Sequence, residues 1–293
     1  MISRRRFISI IAASATISAA GKAPIRWRGR ALGAEARVEL HDLPESALDD
    51  IPKILAKIED LFSLYAPNST LTQLNTNKHA PNPPTEFDQL LDAIDRIYHA
   101  TQGRFDPTIQ TLWRALAERR DPSAAFASIG WQRVSRGAGG IRIGSDQELS
   151  FNGIAQGFAT DLIAAHLHSQ GAEKTLVDIG EISAIGGPFR IGLSDPKLGM
   201  HGWRSLQSAA LATSSPGAML LSEADGHILD PKGQTKPLWS SVTLEAANAT
   251  LADGFSTAFC LTPLTEIQSI LTKTKELHRA TLVSKAQEVI TLT

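Results

Sequence analysis

The amino-acid sequence predicts an α+β fold, with mixed β-sheets and flanking helices. Short apolar and β-branched segments outnumber the amphipathic helical windows, and the two kinds do not alternate regularly as they would in a Rossmann-type chain. Size supports the same picture: 293 residues, 42% of them hydrophobic, suffice for one large core or for two lobes that share one.

The chain opens with Ser3-Arg4-Arg5-Arg6-Phe7-Ile8, a twin-arginine export pattern. An apolar run over residues 10–20 follows, ending Ser18-Ala19-Ala20 before Gly21-Lys22, and it is too short to span a membrane. Residues 1–20 therefore read as a signal peptide and 21–293 as one mature domain. The expected location is the periplasm, free or held at the membrane. Disulfides can form there, but the chain has one cysteine; Cys260, between Phe259 and Leu261, reads as a buried small hydrophobe.

Extended segments are expected at 27–30 and 34–41, separated by Ala31-Leu32-Gly33, where glycine lets the chain turn or approach a ligand. Residues 50–64 carry Ile51, Ile54, Leu55, Ile58, Leu61 and Phe62 at helical spacing, with Pro52 tolerable in a first turn. Residues 66–84 read as a polar, proline-rich loop with the length of a lid. A helix is expected from 85, stopping at Gly103, and another over 108–119, which adds no chemistry. A polar connection follows, with short strands near Val134 and at 141–143.

A strand at 148–151 is expected to run into a helix opened by residues 152–161, Asn-Gly-Ile-Ala-Gln-Gly-Phe-Ala-Thr-Asp, and ended by Gly171. Such a strand-to-helix passage is one way to bring backbone groups against phosphates, although the glycines also serve ordinary close packing. Strands are expected at 175–179, 182–185, 189–193, 207–213 and 242–246, with a short one at 226–231 entering a proline turn. A helix at 264–272 and strands at 279–284 and 288–293 close the chain.

The charge balance, 29 basic against 30 acidic side chains, provides no global field for nucleic acid or an anionic membrane. Any anion must be held locally. The stretch 250–263 offers a place: if it is helical from Ala252, Asp253 and Thr257 share one face. That oxygen pair suits a hard cation near a helix start, where an anion such as a pyrophosphate also fits. The plainer alternative is that Asp253 caps or supports a helix N-terminus and Thr257 bonds its own backbone.

Several separated pieces together resemble the ApbE-type FAD:protein FMN transferase family, in the family's order and over nearly the whole mature chain. They are Ala31-Leu32-Gly33, Phe62-Ser63-Leu64-Tyr65 with Ser69-Thr70-Leu71 and Leu74-Asn75, Phe105-Asp106-Pro107-Thr108, the stretch 153–161, Asp178-Ile179-Gly180-Glu181, Ala212-Thr213-Ser214, the stretch 227–231, and Ala252-Asp253 with Ser256-Thr257-Ala258. The resemblance implies an Mg²⁺-dependent enzyme that cleaves FAD, leaves FMN esterified to a threonine or serine of an exported, membrane-bound or periplasmic redox protein, and releases AMP. It implies Mg²⁺ ligands at Asp253, Thr257 and the carbonyl of Gly153, and flavin contacts at Leu32, Tyr65, Arg104, Phe105, Asp106, Ser150, Gln156, Thr213 and His227. Asp253 and His227 become the catalytic candidates, His227 as flavin ligand or acceptor of the hydroxyl proton. As a structural residue it would instead brace the Pro231 turn.

The chain departs from the family pattern at Leu32, where methionine is usual, at Ser150, where aspartate is common, and at Gln156, where lysine is common. The last two remove a cation together with its counter-charge, so FAD binding is expected to survive better than fast turnover. Two other readings stay open: an FAD pyrophosphatase, and a flavin-binding carrier that has lost transfer chemistry. The export motif and the Asp178–Glu181 variant lean toward the NosX-like branch that serves nitrous oxide reductase maturation.

Overall fold

The computed structural model describes residues 23–223 and 225–293. The signal-peptide reading of residues 1–20 lies outside the described residues. β1 (Ile25–Ala31) and β2 (Ala34–Leu40) form a hairpin whose turn residues, Leu32 and Gly33, have φ of 48° and 85°. These are the left-handed conformations a two-residue hairpin turn requires, free for glycine and costly for leucine.

α1 (Ile51–Phe62) buries the apolar face that its spacing announces and carries Pro52 in its first turn. α2 (Thr70–Asn77) lies inside the segment expected to be a loop. Ser69 caps it by accepting the Thr72 N–H, and Leu71 and Leu74 are wholly buried. A lid spanning 66–84 is therefore corrected: these leucines pin its middle to the core.

β3 (His79–Ala80) leads to α3 (Thr85–Ala100), α4 (Gln110–Ala117) and α5 (Ser123–Ser128), the last a short helix in what reads as polar connection. β4 (Ser135–Gly137) and β5 (Gly140–Arg142) join β3 in a small sheet ordered β3-β5-β4. The strand expected at 148–151 is absent because a side chain takes a strand's place. The Asn75 amide accepts the Leu149 N–H at 2.7 Å and donates to the Leu149 carbonyl at 2.9 Å, while the Ser150 N–H donates to Pro107 at 2.8 Å.

α6 (Ala155–Ser169) precedes β6 (Thr175–Asp178), β7 (Ile182–Ile185), β8 (Phe189–Asp195), β9 (Gly199–Leu206) and β10 (Ala209–Ser214). The segment 226–231 forms no strand and makes one bridge, between Leu220 and Gly226. β11 (Trp239–Ala246), α7 (Ala249–Phe259), α8 (Leu264–Lys273), β12 (Leu277–Ser284) and β13 (Val289–Leu292) complete the described elements.

The α+β class holds, and the sheets are antiparallel rather than mixed. The large sheet has eight strands in the order β1-β2-β6-β7-β10-β11-β12-β13. Strand side chains alternate between its faces. Val177, Ala212, Val242, Leu244 and Ala280 enter the main core with the helices. Leu176, Ile182, Ala184, Ala209 and Leu211 instead meet Phe189, Ile191, Leu193 and Leu206 of the β8–β9 hairpin in a second, smaller core.

Asn75→Ala removes both amide bonds from Leu149 and leaves two buried backbone groups unpaired. The expected loss is about 2–3 kcal/mol in chemical denaturation, and a loss below about 0.5 kcal/mol would show that these bonds do not hold the segment.

Candidate functional site

α7 begins at Ala249, with Asn248 accepting the Leu251 N–H as its cap. Asp253 therefore lies in the second turn rather than at the helix start, and no anion site forms at this helix end. The exposed amides there are already taken: Asp161 of α6 accepts the N–H groups of Ala249 and Thr250, each at 2.8 Å. Asp253 in turn accepts the Gly157 N–H at 3.0 Å, in the first turn of α6. Each helix thus supplies the carboxylate that satisfies the other's N-terminus, which favours negative charge. The expectation that Asp253 supports a helix N-terminus is met on a different helix.

This exchange depends on close approach. A Cβ at Gly157 would sit 2.3 Å from the Ala249 carbonyl oxygen and 2.7 Å from Asp253 Cβ. Only glycine fits there. With the helices at this distance, Thr257, one turn beyond Asp253, donates its hydroxyl to the Gly153 carbonyl at 3.4 Å. Asp253, Thr257 and the Gly153 carbonyl are thereby gathered between α7 and the turn before α6. No cluster of three or more His, Cys, Asp or Glu side chains suited to a metal occurs among the described residues. An oxygen-only, partial shell of this kind fits a hard cation completed by phosphate oxygens and water.

Other sequence-predicted residues fall differently. Thr213 turns its hydroxyl to Thr243, 2.8 Å away on β11. Strand alternation puts its neighbour Ser214 on the helix side, where Ser214 Oγ lies 3.2 Å from Thr257 Oγ1 and 2.8 Å from Ser256 Oγ. Ser214, not Thr213, contributes the hydroxyl at this group. Arg104 forks onto Glu266 of α8 at 2.7 and 3.0 Å, a bidentate pair that occupies its donors. Asp106 is buried and braces its loop by accepting the N–H groups of Thr108 and Trp131.

Phe105 is buried, so its ring supports the site from within. Leu32 donates its N–H to Glu59 of α1 at 3.2 Å and makes its polar contact there rather than with the α6–α7 oxygens. Gln156 lays its amide over Gly180, and Ser150 is buried, its hydroxyl accepting the Asn152 N–H at 3.4 Å.

His227 sits in the loop after Ser214, half-buried, with Nδ1 3.4 Å from the Met219 carbonyl. Burial lowers its pKa. A neutral ring that donates from Nδ1 presents Nε2 as an acceptor. The Pro231 turn is braced not by His227 but by Asp230, which accepts the N–H groups of Lys232, Gln234 and Thr235.

Tyr65 is 67% exposed. It lines a cavity of about 580 Å³ with Asn75, Lys78, Trp113, Arg114 and Asn152, and so connects this cavity to the residue before Gly153. The helix said by its sequence to add no chemistry supplies Trp113 and Arg114. Its aromatic and cation stand next to each other, the one local signal that was available. Asp161 and Glu181 also escape sequence reading as site residues, since their partners are remote in the chain.

The profile of the ApbE family matches residues 32–281. The chain belongs to the ApbE family. Curated relatives include the FAD:protein FMN transferase of Vibrio cholerae, 26% identical over 243 residues, which are 71% of each chain. The enzyme of the same name from Haemophilus influenzae is 24% identical over 251 residues, covering 73% of this chain and 71% of that one. Among solved structures, the flavin transferase ApbE of Vibrio cholerae superposes with a TM-score of 0.79 at 20% identity, covering 92% of this chain and 96% of that one. The ApbE protein of Thermotoga maritima gives 0.81 at 23% identity, covering 91% and 96%. These likenesses establish an ApbE fold over nearly the whole described chain.

Burial raises the Asp253 carboxyl to about 7 and the Asp178 carboxyl to about 6. Both values exceed the ordinary carboxylate value, so the folded chain binds these protons more tightly than the unfolded one. The stability they lend is present at low pH and is lost as pH rises from about 4 to about 7. In chelator, Asp253→Asn removes its share of that loss. The difference in unfolding free energy, variant minus wild type, is expected to grow by on the order of 2 kcal/mol between pH 5 and 8; a difference flat across that range would contradict it.

Proposed function

We propose that this chain is an exported, Mg²⁺-dependent FAD:protein FMN transferase. The observation that carries the reading is the convergence of Asp253, Thr257 and the Gly153 carbonyl, beside a cavity bearing Tyr65, Trp113, Lys78 and Arg114. The names of the curated relatives support flavin transfer. Asp253, Thr257 and Gly153 would hold the cation. When bound, Mg²⁺ neutralises charge on the pyrophosphate and stabilises what builds up on the phosphoryl group.

The cavity receives FAD, with Tyr65 and Trp113 offering aromatic faces; Arg114 there is paired with Glu148 at 2.8 Å and Lys78 donates to the Gln147 carbonyl at 2.9 Å, so each would exchange that partner for a phosphate oxygen. The acceptor's threonine or serine oxygen attacks the FMN-side phosphorus of FAD. An ester O–P bond forms, the anhydride P–O bond breaks, and AMP leaves. The hydroxyl proton passes to His227 Nε2, which its burial keeps unprotonated at neutral pH. The export motif supports an acceptor domain on a periplasmic or membrane-bound redox protein, and with the Asp178–Glu181 sequence it supports the nitrous oxide reductase branch.

One observation favours the carrier reading: Arg104 is locked to Glu266 and Gln156 is neutral, so neither offers a phosphate a free charge. Intact mass of an acceptor domain after incubation with the chain, FAD and Mg²⁺ separates the readings. An FMN adduct that chelator abolishes is expected. Release of FMN and AMP without adduct indicates the pyrophosphatase, and intact bound FAD the carrier. His227→Asn is expected to slow transfer by about 10²–10⁴-fold with FAD affinity unchanged, and an undiminished rate would remove His227 from proton transfer.

A further inference from the structure

The charged side chains of β1 and β2 all lie on one face of the large sheet. The register sets Arg26 opposite Glu39, Arg28 opposite Arg37 and Arg30 opposite Glu35, and directly opposed residues of an antiparallel pair point to the same side. Arg26, Arg28 and Arg30 are exposed, while Ile25, Trp27 and Ala31 between them pack toward the main core. The β8–β9 hairpin covers this face up to the end of β2, where Phe189 meets His41 with ring centroids 5.7 Å apart.

Four arginines on this face thus meet two glutamates, in a chain whose formal net charge is -1. Arg26 pairs with Glu39 at 3.3 Å and Arg37 with Glu35 at 2.5 Å. No ion pair joins Arg28 or Arg30 to a described carboxylate. Arg28 stands opposite Arg37 instead, and like charges so placed destabilise a strand pair. The hydrogen bond from Arg37 holds the Glu35 carboxyl below its ordinary value, helped by the charges of Arg37, Arg28 and Arg30. One carboxylate therefore answers three guanidinium groups, and positive charge is left over for an anion from outside.

Spacing selects the anion. Alternate strand residues lie about 6.5–7 Å apart, so the three arginines of β1 repeat with the period of an extended chain. β1 is also an edge of the eight-stranded sheet, and no described strand pairs with its outer side. Its free main-chain groups suit a further strand. A bilayer needs neither the period nor the edge, and Glu35 and Glu39 repel anionic headgroups. The face also leads toward the site: Arg37 is in register with Asp178, which precedes the turn whose Gly180 lies under the Gln156 amide of α6.

We propose that this face docks the acceptor protein: an extended acidic segment adds a strand to the edge of β1 and sets its alternate carboxylates against Arg26, Arg28 and Arg30. The proposal rests on the transferase reading, since it assigns the segment to the acceptor. Main-chain pairing fixes the direction of the segment, and the arginines fix its register and speed its arrival.

Arg28→Glu with Arg30→Glu reverses the two unpaired charges at exposed positions, and Arg28→Gln with Arg30→Gln only removes them. FMN transfer by the full chain to an acceptor domain is followed by intact mass. In parallel, the β1 and β2 amides are followed by NMR during titration with a peptide that alternates glutamate and threonine. The reversed variant is expected to raise the KM for the acceptor by about tenfold or more, with kcat and FAD affinity unchanged, and the neutral variant to fall between. About 1 M salt should erase the difference. The alternating peptide should shift the β1 amides of wild type, and a peptide of the same composition with its glutamates in one block should shift them less. A wild-type KM in the reversed variant overturns the inference, as does a peptide that leaves β1 unmoved. So does wild type that ignores the peptide but binds phosphatidylglycerol vesicles through these arginines, which would assign the face to a membrane. Wild type that forms no adduct while its β1 amides respond to the peptide supports the docking face and overturns the transferase reading alone.

Discussion

The reciprocal support of α6 and α7 is the interaction on which the site depends. Residues 157 to 161 run against 253 to 249, and at the two ends of that contact each helix lends a carboxylate to the other's unsatisfied amides. Gly157 makes the distance possible, since any side chain there would strike the Ala249 carbonyl. A carboxylate satisfying helix amides is ordinarily a structural fixture. Asp253 differs in its neighbourhood: one turn further along α7, Thr257 donates its hydroxyl to the Gly153 carbonyl in the turn before α6.

The sheet contributes through its edges and turns. β10 ends at Ser214, whose hydroxyl joins Ser256 and Thr257, and the backbone of Thr213 holds Glu181. The hairpin β8–β9 covers the far face of the sheet in the second, smaller core. The main core, with Phe62, Phe87, Phe151 and Phe158 packed ring to ring, sits under the α6 start and gives it a rigid floor.

Much of this was legible from spacing. The apolar faces of α1, α3 and α8 repeat at helical intervals, and the i, i+4 relation of Asp253 and Thr257 follows once the segment is helical. What was not legible depends on partners far away in the chain. α2 has little apolar periodicity and is set by one serine cap and two anchoring leucines. β9, Gly-Met-His-Gly-Trp-Arg-Ser-Leu, shows no alternation because most of it lies outside the core, and it is a strand because β8 pairs with it. The motif marks Thr213 and Ser214 alike, and the pleat decides that Ser214 is the one facing the helices. The stretch is helical from Ala252 as its pattern requires, but α7 begins three residues earlier at Ala249, and its first amides there meet Asp161, a partner remote in the chain.

The central claim is that the α6–α7 contact forms a divalent cation site, and its most direct test is crystallographic. Crystals grown with FAD and Mn²⁺ should show one anomalous peak at about 2.0–2.3 Å from oxygens of Asp253, Thr257 and Gly153. A peak bound elsewhere, or FAD bound with no metal at those oxygens, would contradict the account.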